Sequence, residues 1–230
     1  MSMKVSPLRL SKRKLKNTYH NLYKGYGRQD WWPGDTPFEI MVGAILTQNT
    51  AWTNVEKAIT NLKVEKMLSA RKITGARQNT LARLLKPSGY FNIKAKRLKN
   101  FCSWYLDQGG FKELAKKNTD ELRSALLTVN GVGHETADDI LLYAFERPVF
   151  VIDAYTRRIF SRLGLIAGDE PYDKLREAIE LALKQDTVLF NEYHALIVNH
   201  GKDICRVKPK CMDCVLNQDC LFRRTSGQIG

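Results

Sequence analysis

The sequence has no long apolar run, no alternating apolar-polar ladder, few glycines and prolines, and a shortage of acid. Each absence excludes something. The longest strongly apolar stretch, IMVGAIL at residues 40–46, is far too short to cross a bilayer. The basic N-terminus MSMKVSPLRLSKRKLKN has no apolar segment behind it, so no secretory leader is expected. Fifteen glycines and seven prolines are spread thinly over 230 residues, with no repeat of fixed period and no low-complexity tract. Only 24 Asp and Glu oppose 37 Lys and Arg, which leaves a net charge of +13. Such an excess predicts attraction to a polyanion, with nucleic acid favoured over an anionic membrane surface. The expectation is a soluble, intracellular, cytoplasmic chain.

What is present is helical periodicity. Leu15, Tyr19, Leu22, Tyr23 and Tyr26 recur at helical spacing, as do Leu98, Phe101, Cys102 and Tyr105, and then Leu122, Ala125, Leu126 and Val129. The turn WWPGDTP breaks the chain, and Asp35 or Thr36 is placed to cap the buried helix that follows. The β-branched run at residues 149–152 is short. The chain reads as all-α, many helices joined by short loops.

Four of the five cysteines crowd the C-terminal end: Cys205, Cys211, Cys214 and Cys220, spaced C-x5-C-x2-C-x5-C. Disulfides are not expected in an intracellular chain, so four close thiolates point to a metal. The donor set suits a [4Fe–4S] cluster, with a structural Zn²⁺ as the alternative. Arg206, Lys208 and Lys210 lie between the first two ligands and form a basic loop suited to phosphate contact. The fifth, Cys102, falls on an apolar helix face and reads as a small buried hydrophobe.

The stretch LLTVNGVGHETADDILLYAF is two helical patterns joined by NGVG. Gly131 and Gly133 allow a phosphate to approach closely, and the helix-start amides beyond them favour an anion. An ordinary helical hairpin can need the same glycines. Asp153 follows PVFVI and opens AYTRRIFSRLGL, where it makes a good N-cap. A cap and a catalytic carboxylate are compatible, because a helix N-terminus holds an aspartate ionised.

Taken together, PFEIMVGAILTQNT, the NGVGHETAD hairpin, the VIDAY aspartate, NHGKDIC and the terminal cysteines resemble the helix-hairpin-helix DNA glycosylase superfamily, in its endonuclease III-like branch. The likeness runs from about residue 36 to residue 222. It implies two helical domains flanking a DNA-binding cleft. One is a central helical barrel over residues 36–148 with the hairpin at about 122–146. The other combines residues 1–35 with 149–230 and carries a [4Fe–4S] loop at 205–220. By the resemblance Asp153 is the catalytic aspartate, and Gly131, Gly133, His134 and Thr136 belong to the DNA-gripping hairpin. Gln48 or Asn49 fills the duplex once a base has been turned out. The expected partner is double-stranded DNA with a damaged base, met by a monomer.

Two departures shape the reading. The first cysteine interval is x5 where endonuclease III has x6. More consequentially, Glu135 stands where bifunctional members of the family carry a lysine that attacks C1′. A carboxylate forms no imine, so the expectation is a monofunctional glycosylase that releases the base with water. Trp31, Pro33 and Trp52 look like the base pocket of the 3-methyladenine branch, whose aromatic surfaces stack on a cationic alkylated purine. Two alternatives stand beside this. One is an endonuclease III-like enzyme acting on oxidised pyrimidines or mispaired adenine, using another amine such as Lys202. The other is a non-catalytic, metal-stapled DNA-binding module.

Overall fold

In the computed structural model, residues 8–31 and 34–225 are described, and those residues form helices connected by turns, with no strand among them. They divide into two compact units. One comprises residues 32–147; the other joins residues 1–31 to 148–230.

The central unit begins with α2 (Pro37–Leu46), after α1 (Lys12–Tyr26) of the other unit, and continues through α3 (Trp52–Val64), α4 (Ala70–Gly75) and α5 (Gln78–Leu84). It then runs through α6 (Phe91–Asp107), α7 (Phe111–Leu114), α8 (Thr119–Leu127) and α9 (His134–Asp139). Thr36 caps α2: its hydroxyl accepts from the Glu39 amide, and Pro37 takes the first helical position, where no amide is needed. Every residue of α2 from Glu39 to Leu46 is buried, as expected of a helix apolar all round. Met41, Ile45, Leu46, Val55, Leu62, Leu98 and Phe101 fill this core. Truncating any of the aliphatic ones to alanine costs about 2–5 kcal/mol.

One cation lies inside. Lys94 of α6 is buried, and its ammonium donates to the carbonyls of Leu46 (2.8 Å) and Ser88 (2.6 Å). It therefore satisfies the frayed end of α2 and the end of the 3₁₀ turn Lys86–Ser88 together. Burial and the nearby Arg97 push its pKa down to about 8.

The second unit contains α1 (Lys12–Tyr26), α10 (Ala154–Arg162), α11 (Tyr172–Leu183), α12 (Thr187–Asp203) and α13 (Leu221–Thr225). Ser11 caps α1 through its side chain. The core gathers around Tyr193, fully buried, whose hydroxyl donates to the Leu15 carbonyl at 2.9 Å and whose ring meets Tyr19, Phe150 and Phe160. The β-branched run at 149–152 is buried and belongs to neither a helix nor a strand. Its Phe150 amide donates to Glu180 of α11 (2.9 Å) and its Ile152 amide to the Tyr172 hydroxyl (3.3 Å). Side chains stand in for a sheet ladder, which is how a buried strand-like segment survives in an all-helical unit.

Candidate active site

The run at 149–152 delivers Asp153 to the start of α10. Its backbone is extended (φ −95°, ψ 179°), and one carboxylate oxygen accepts the Thr156 amide at 2.6 Å, the N-cap geometry. The other oxygen lies 3.7 Å from Nε2 of His194 on α12. Asp153 is buried. Burial pushes its pKa up, but His194 and Thr156 outweigh that, so the carboxyl lies below its ordinary range and is ionised at neutral pH. His194 is also buried, and the Trp31 ring lies parallel to its imidazole with centroids 6.0 Å apart. Trp31, His194 and Asp153 thus form one layered group. His194 was not foreseen: nothing in YHALIVNH distinguishes a histidine that faces Asp153 from one that fills the core.

The hairpin lies in the central unit. Asn118 caps α8 in a reciprocal box with Glu121, and α9 is continued by a π-helical turn, Ile140–Ala144. Gly131 has φ +101°, and a Cβ there would run into the stem of Arg97, so glycine is required. Gly133 differs from expectation. Its backbone is extended (φ −95°) and open to any residue, with nothing within 4 Å of where a Cβ would stand. That leaves free space at the entrance to α9. His134 and Glu135 are exposed there, whereas Thr136 is buried and turned inward, its hydroxyl accepting from Gln48 at 2.9 Å. Beneath the turn, Arg123 of α8 grips Asp138 of α9 through Nε at 2.6 Å and Nη2 at 3.1 Å, and the Asp138 side chain is fully buried.

Before the hairpin, the turn after α2 separates the two candidates for filling the duplex. Gln48 is half-buried and hydrogen-bonded to the hairpin, while Asn49 is exposed with φ +54°. Trp52 opens α3, half-buried, its ring seated on Gly43, where a Cβ would approach Cη2 to 3.0 Å, and its Nε1 donating to Glu56. Trp31 and Trp52 belong to different units. Pro33, with Trp32, lies outside the described residues.

At the far end of α10, two arginines hold the cysteine loop. Arg158 donates to the carbonyls of Cys205 and Gly201, both at 2.8 Å. Arg162 reaches the Arg206 carbonyl at 2.6 Å and the Cys205 sulfur at 3.3 Å. None of the four loop cysteines is in a disulfide. Burial and then the neighbouring cysteines push the Cys211 and Cys214 thiols up, the latter to about 11, so the sulfurs are within electrostatic reach of one another. Among the described residues no three His, Cys, Asp or Glu are drawn together as a formed metal-binding group. The donor chemistry nonetheless fits a thiolate-ligated centre: four cysteines outside any disulfide lie in one loop, and a cation would be held by such a set of soft sulfur donors. Arg206, Lys208 and Lys210 are exposed on this loop. Cys102, by contrast, is fully buried on α6, its thiol pushed up to about 12 by burial.

A helical hairpin with an open glycine entrance, a buried ionised aspartate heading a helix and a basic cysteine loop are the features on which the resemblance to helix-hairpin-helix repair enzymes rests. The chain belongs to the HhH-GPD superfamily of base excision DNA repair proteins, whose family model matches residues 42–185. It is 50% identical over 208 residues to a putative DNA repair glycosylase of Methanocaldococcus jannaschii, covering 89% of this chain and 94% of that one. It is 30% identical over 193 residues to endonuclease III of Thermotoga maritima, covering 84% and 86% respectively. Among solved structures it resembles the H. pylori 3-methyladenine DNA glycosylase bound to 1,N6-ethenoadenine, at 31% identity and a TM-score of 0.71, covering 85% of this chain and 98% of that one. The protein is therefore a DNA glycosylase of base excision repair.

Proposed function

We propose that the enzyme is monofunctional: it turns an alkylated purine, of the 3-methyladenine kind, out of duplex DNA and hydrolyses its N-glycosidic bond. The observation that carries this reading is Asp153, held ionised at the head of α10 beside a Trp31–His194 stack. A carboxylate kept charged in a buried place is suited to face a developing positive charge.

As the C1′–N bond breaks, its electron pair leaves with the base and the sugar becomes oxocarbenium-like. Asp153 stabilises that charge and orients a water, which adds to C1′ and gives up its proton; an abasic site remains. A purine alkylated at N3 or N7 is already cationic, so it departs as a neutral base without needing a strong acid. It also stacks well on electron-rich indoles, the role that the resemblance gives to Trp31, Pro33 and Trp52. Glu135, exposed in the first turn of α9, offers no amine for a Schiff base. The similarity to a 3-methyladenine glycosylase supports the same substrate class.

The hairpin, through Gly131, Gly133 and His134, and the basic loop at Arg206, Lys208 and Lys210 take DNA phosphates. Asn49 rather than Gln48 enters the vacated stack, because its side chain is the exposed one and Gln48 is already hydrogen-bonded. Cys205, Cys211, Cys214 and Cys220 hold a [4Fe–4S] cluster that braces the loop; a colourless, zinc-loaded protein would reverse that assignment.

The test is incubation with duplexes carrying alkylated, oxidised or deaminated bases, identification of what is released, and borohydride trapping. Release of methylated purine with no covalent adduct is expected. A trapped adduct would transfer the reading to a lyase using another amine, such as Lys202, exposed in the last turn of α12. Release of a pyrimidine alone would replace the substrate class.

A further inference from the structure

We infer that Tyr26 and His200 are positioning residues for the cysteine loop. The Tyr26 hydroxyl fixes which ring nitrogen of His200 carries the proton, and that N–H is given to the Cys214 sulfur. This rests on the assignment, proposed above, of the four loop cysteines as metal ligands.

The contacts lie within one unit. Tyr26 is the last residue of α1, half-buried, and its hydroxyl lies 2.6 Å from Nδ1 of His200 on α12. The opposite ring nitrogen, Nε2, lies 3.6 Å from the Cys214 sulfur. His200 is 1% exposed, and burial favours the neutral ring, which carries a single N–H. A cysteine that ligates a metal has lost its proton and can only accept. Nε2 must then donate to sulfur, Nδ1 must accept, and the Tyr26 hydroxyl must direct its proton at Nδ1. The reverse order, with a Cys214 thiol donating to Nε2 and Nδ1–H donating to Tyr26, requires that Cys214 keep its proton.

The same histidine also holds the start of the loop, because its carbonyl accepts the Cys205 amide at 2.8 Å. One residue of NHGKDIC therefore grips the first cysteine by backbone and the third by side chain. The approach of α1 is sterically prepared. Gly25, beside Tyr26, faces Val215, beside Cys214, and a Cβ on it would stand 2.6 Å from the valine Cγ1. A side chain at position 25 would push α1 away from the loop and part Tyr26 from His200. A second sulfur is served from α10, where Arg162 donates to Cys205 at 3.3 Å. Donors of this kind orient the ligands of a metal centre and, at an iron–sulfur cluster, raise its reduction potential by stabilising the more negative state.

The experiment compares the metal-loaded wild type with Tyr26→Phe, His200→Leu and His200→Gln. Nitrogen NMR shifts of the His200 ring, the midpoint potential of the bound cluster and the rate at which a chelator strips the metal are measured. The wild-type ring should carry its proton on Nε2 alone. His200→Leu should shift the potential downward and lose metal about 10- to 100-fold faster. In His200→Gln the amide nitrogen takes the place of Nε2, so much of both losses should be recovered. Tyr26→Phe keeps the ring and the fold but frees the tautomer, so its potential should fall between wild type and His200→Leu. Should His200→Leu fail to fold, Tyr26→Phe decides alone. A wild-type ring protonated at Nδ1, or a Tyr26→Phe protein with unchanged potential and stripping rate, would overturn the inference while leaving the cluster in place. Zinc bound in place of iron would overturn the cluster assignment, and the ring proton and stripping rates would still decide the roles of Tyr26 and His200. A protein that holds no metal overturns both.

Discussion

Asp153 serves with both oxygens, one capping α10 through the Thr156 amide and the other facing His194. On the proposed role, Asp153→Asn separates these duties. Asparagine keeps the cap but not the charge, so at neutral pH the melting temperature should fall only modestly, while base release falls by about 10²- to 10⁴-fold in single-turnover assays. The pH dependence has a definite sign. The folded carboxyl lies below its unfolded value, so its contribution to stability is present above about pH 4 and lost as pH falls through the depressed folded value. Acid unfolding of wild type and Asp153→Asn, followed by circular dichroism, should therefore converge at low pH and diverge above it. At this scale the sequence was partly legible: VIDAY marks a cap followed by a helix, but the imidazole beside it comes from α12, forty-one positions onward, and no local pattern announces such a partner.

The hairpin is the element in which sequence and structure diverge most usefully. Both glycines of NGVG suggest backbone freedom, yet only Gly131 uses it. Gly131→Ala should destabilise the protein by about 1–3 kcal/mol, since it combines a left-handed backbone with a clash against the Arg97 stem. Gly133→Ala should leave stability within about 0.5 kcal/mol and instead weaken DNA binding, because the methyl would occupy the open entrance to α9. Denaturant midpoints and fluorescence anisotropy distinguish the two. Below the turn, Arg123→Met leaves the Asp138 carboxylate buried without its guanidinium, which should cost about 3–5 kcal/mol and show as a lowered urea midpoint. The acid HETADD run gives no hint of which carboxylate goes inward; the helical phase of α9 against α8 decides that.

For the molecule as a whole, the charge of +13 makes binding to DNA steeply salt-dependent. If Arg206, Lys208 and Lys210 each meet a phosphate, neutralising one should weaken binding across sequences and reduce the slope of log affinity against log salt by about 1. That loop is anchored to α10 by Arg158 and Arg162, so its order matters to the helix that Asp153 heads. Composition and helical spacing, read from the sequence alone, were sufficient for a basic, all-helical chain, since each reflects local periodicity or bulk charge, whereas the HhH-GPD superfamily entered through the resemblance of its motifs. The glycine that is sterically required, the imidazole that lies beside Asp153 and the Gln48 amide bonded to Gly131 and Thr136 were decided only by the tertiary structure. Those depend on side chains from distant segments meeting at hydrogen-bonding distance, and proximity of that kind leaves no periodic trace in the chain.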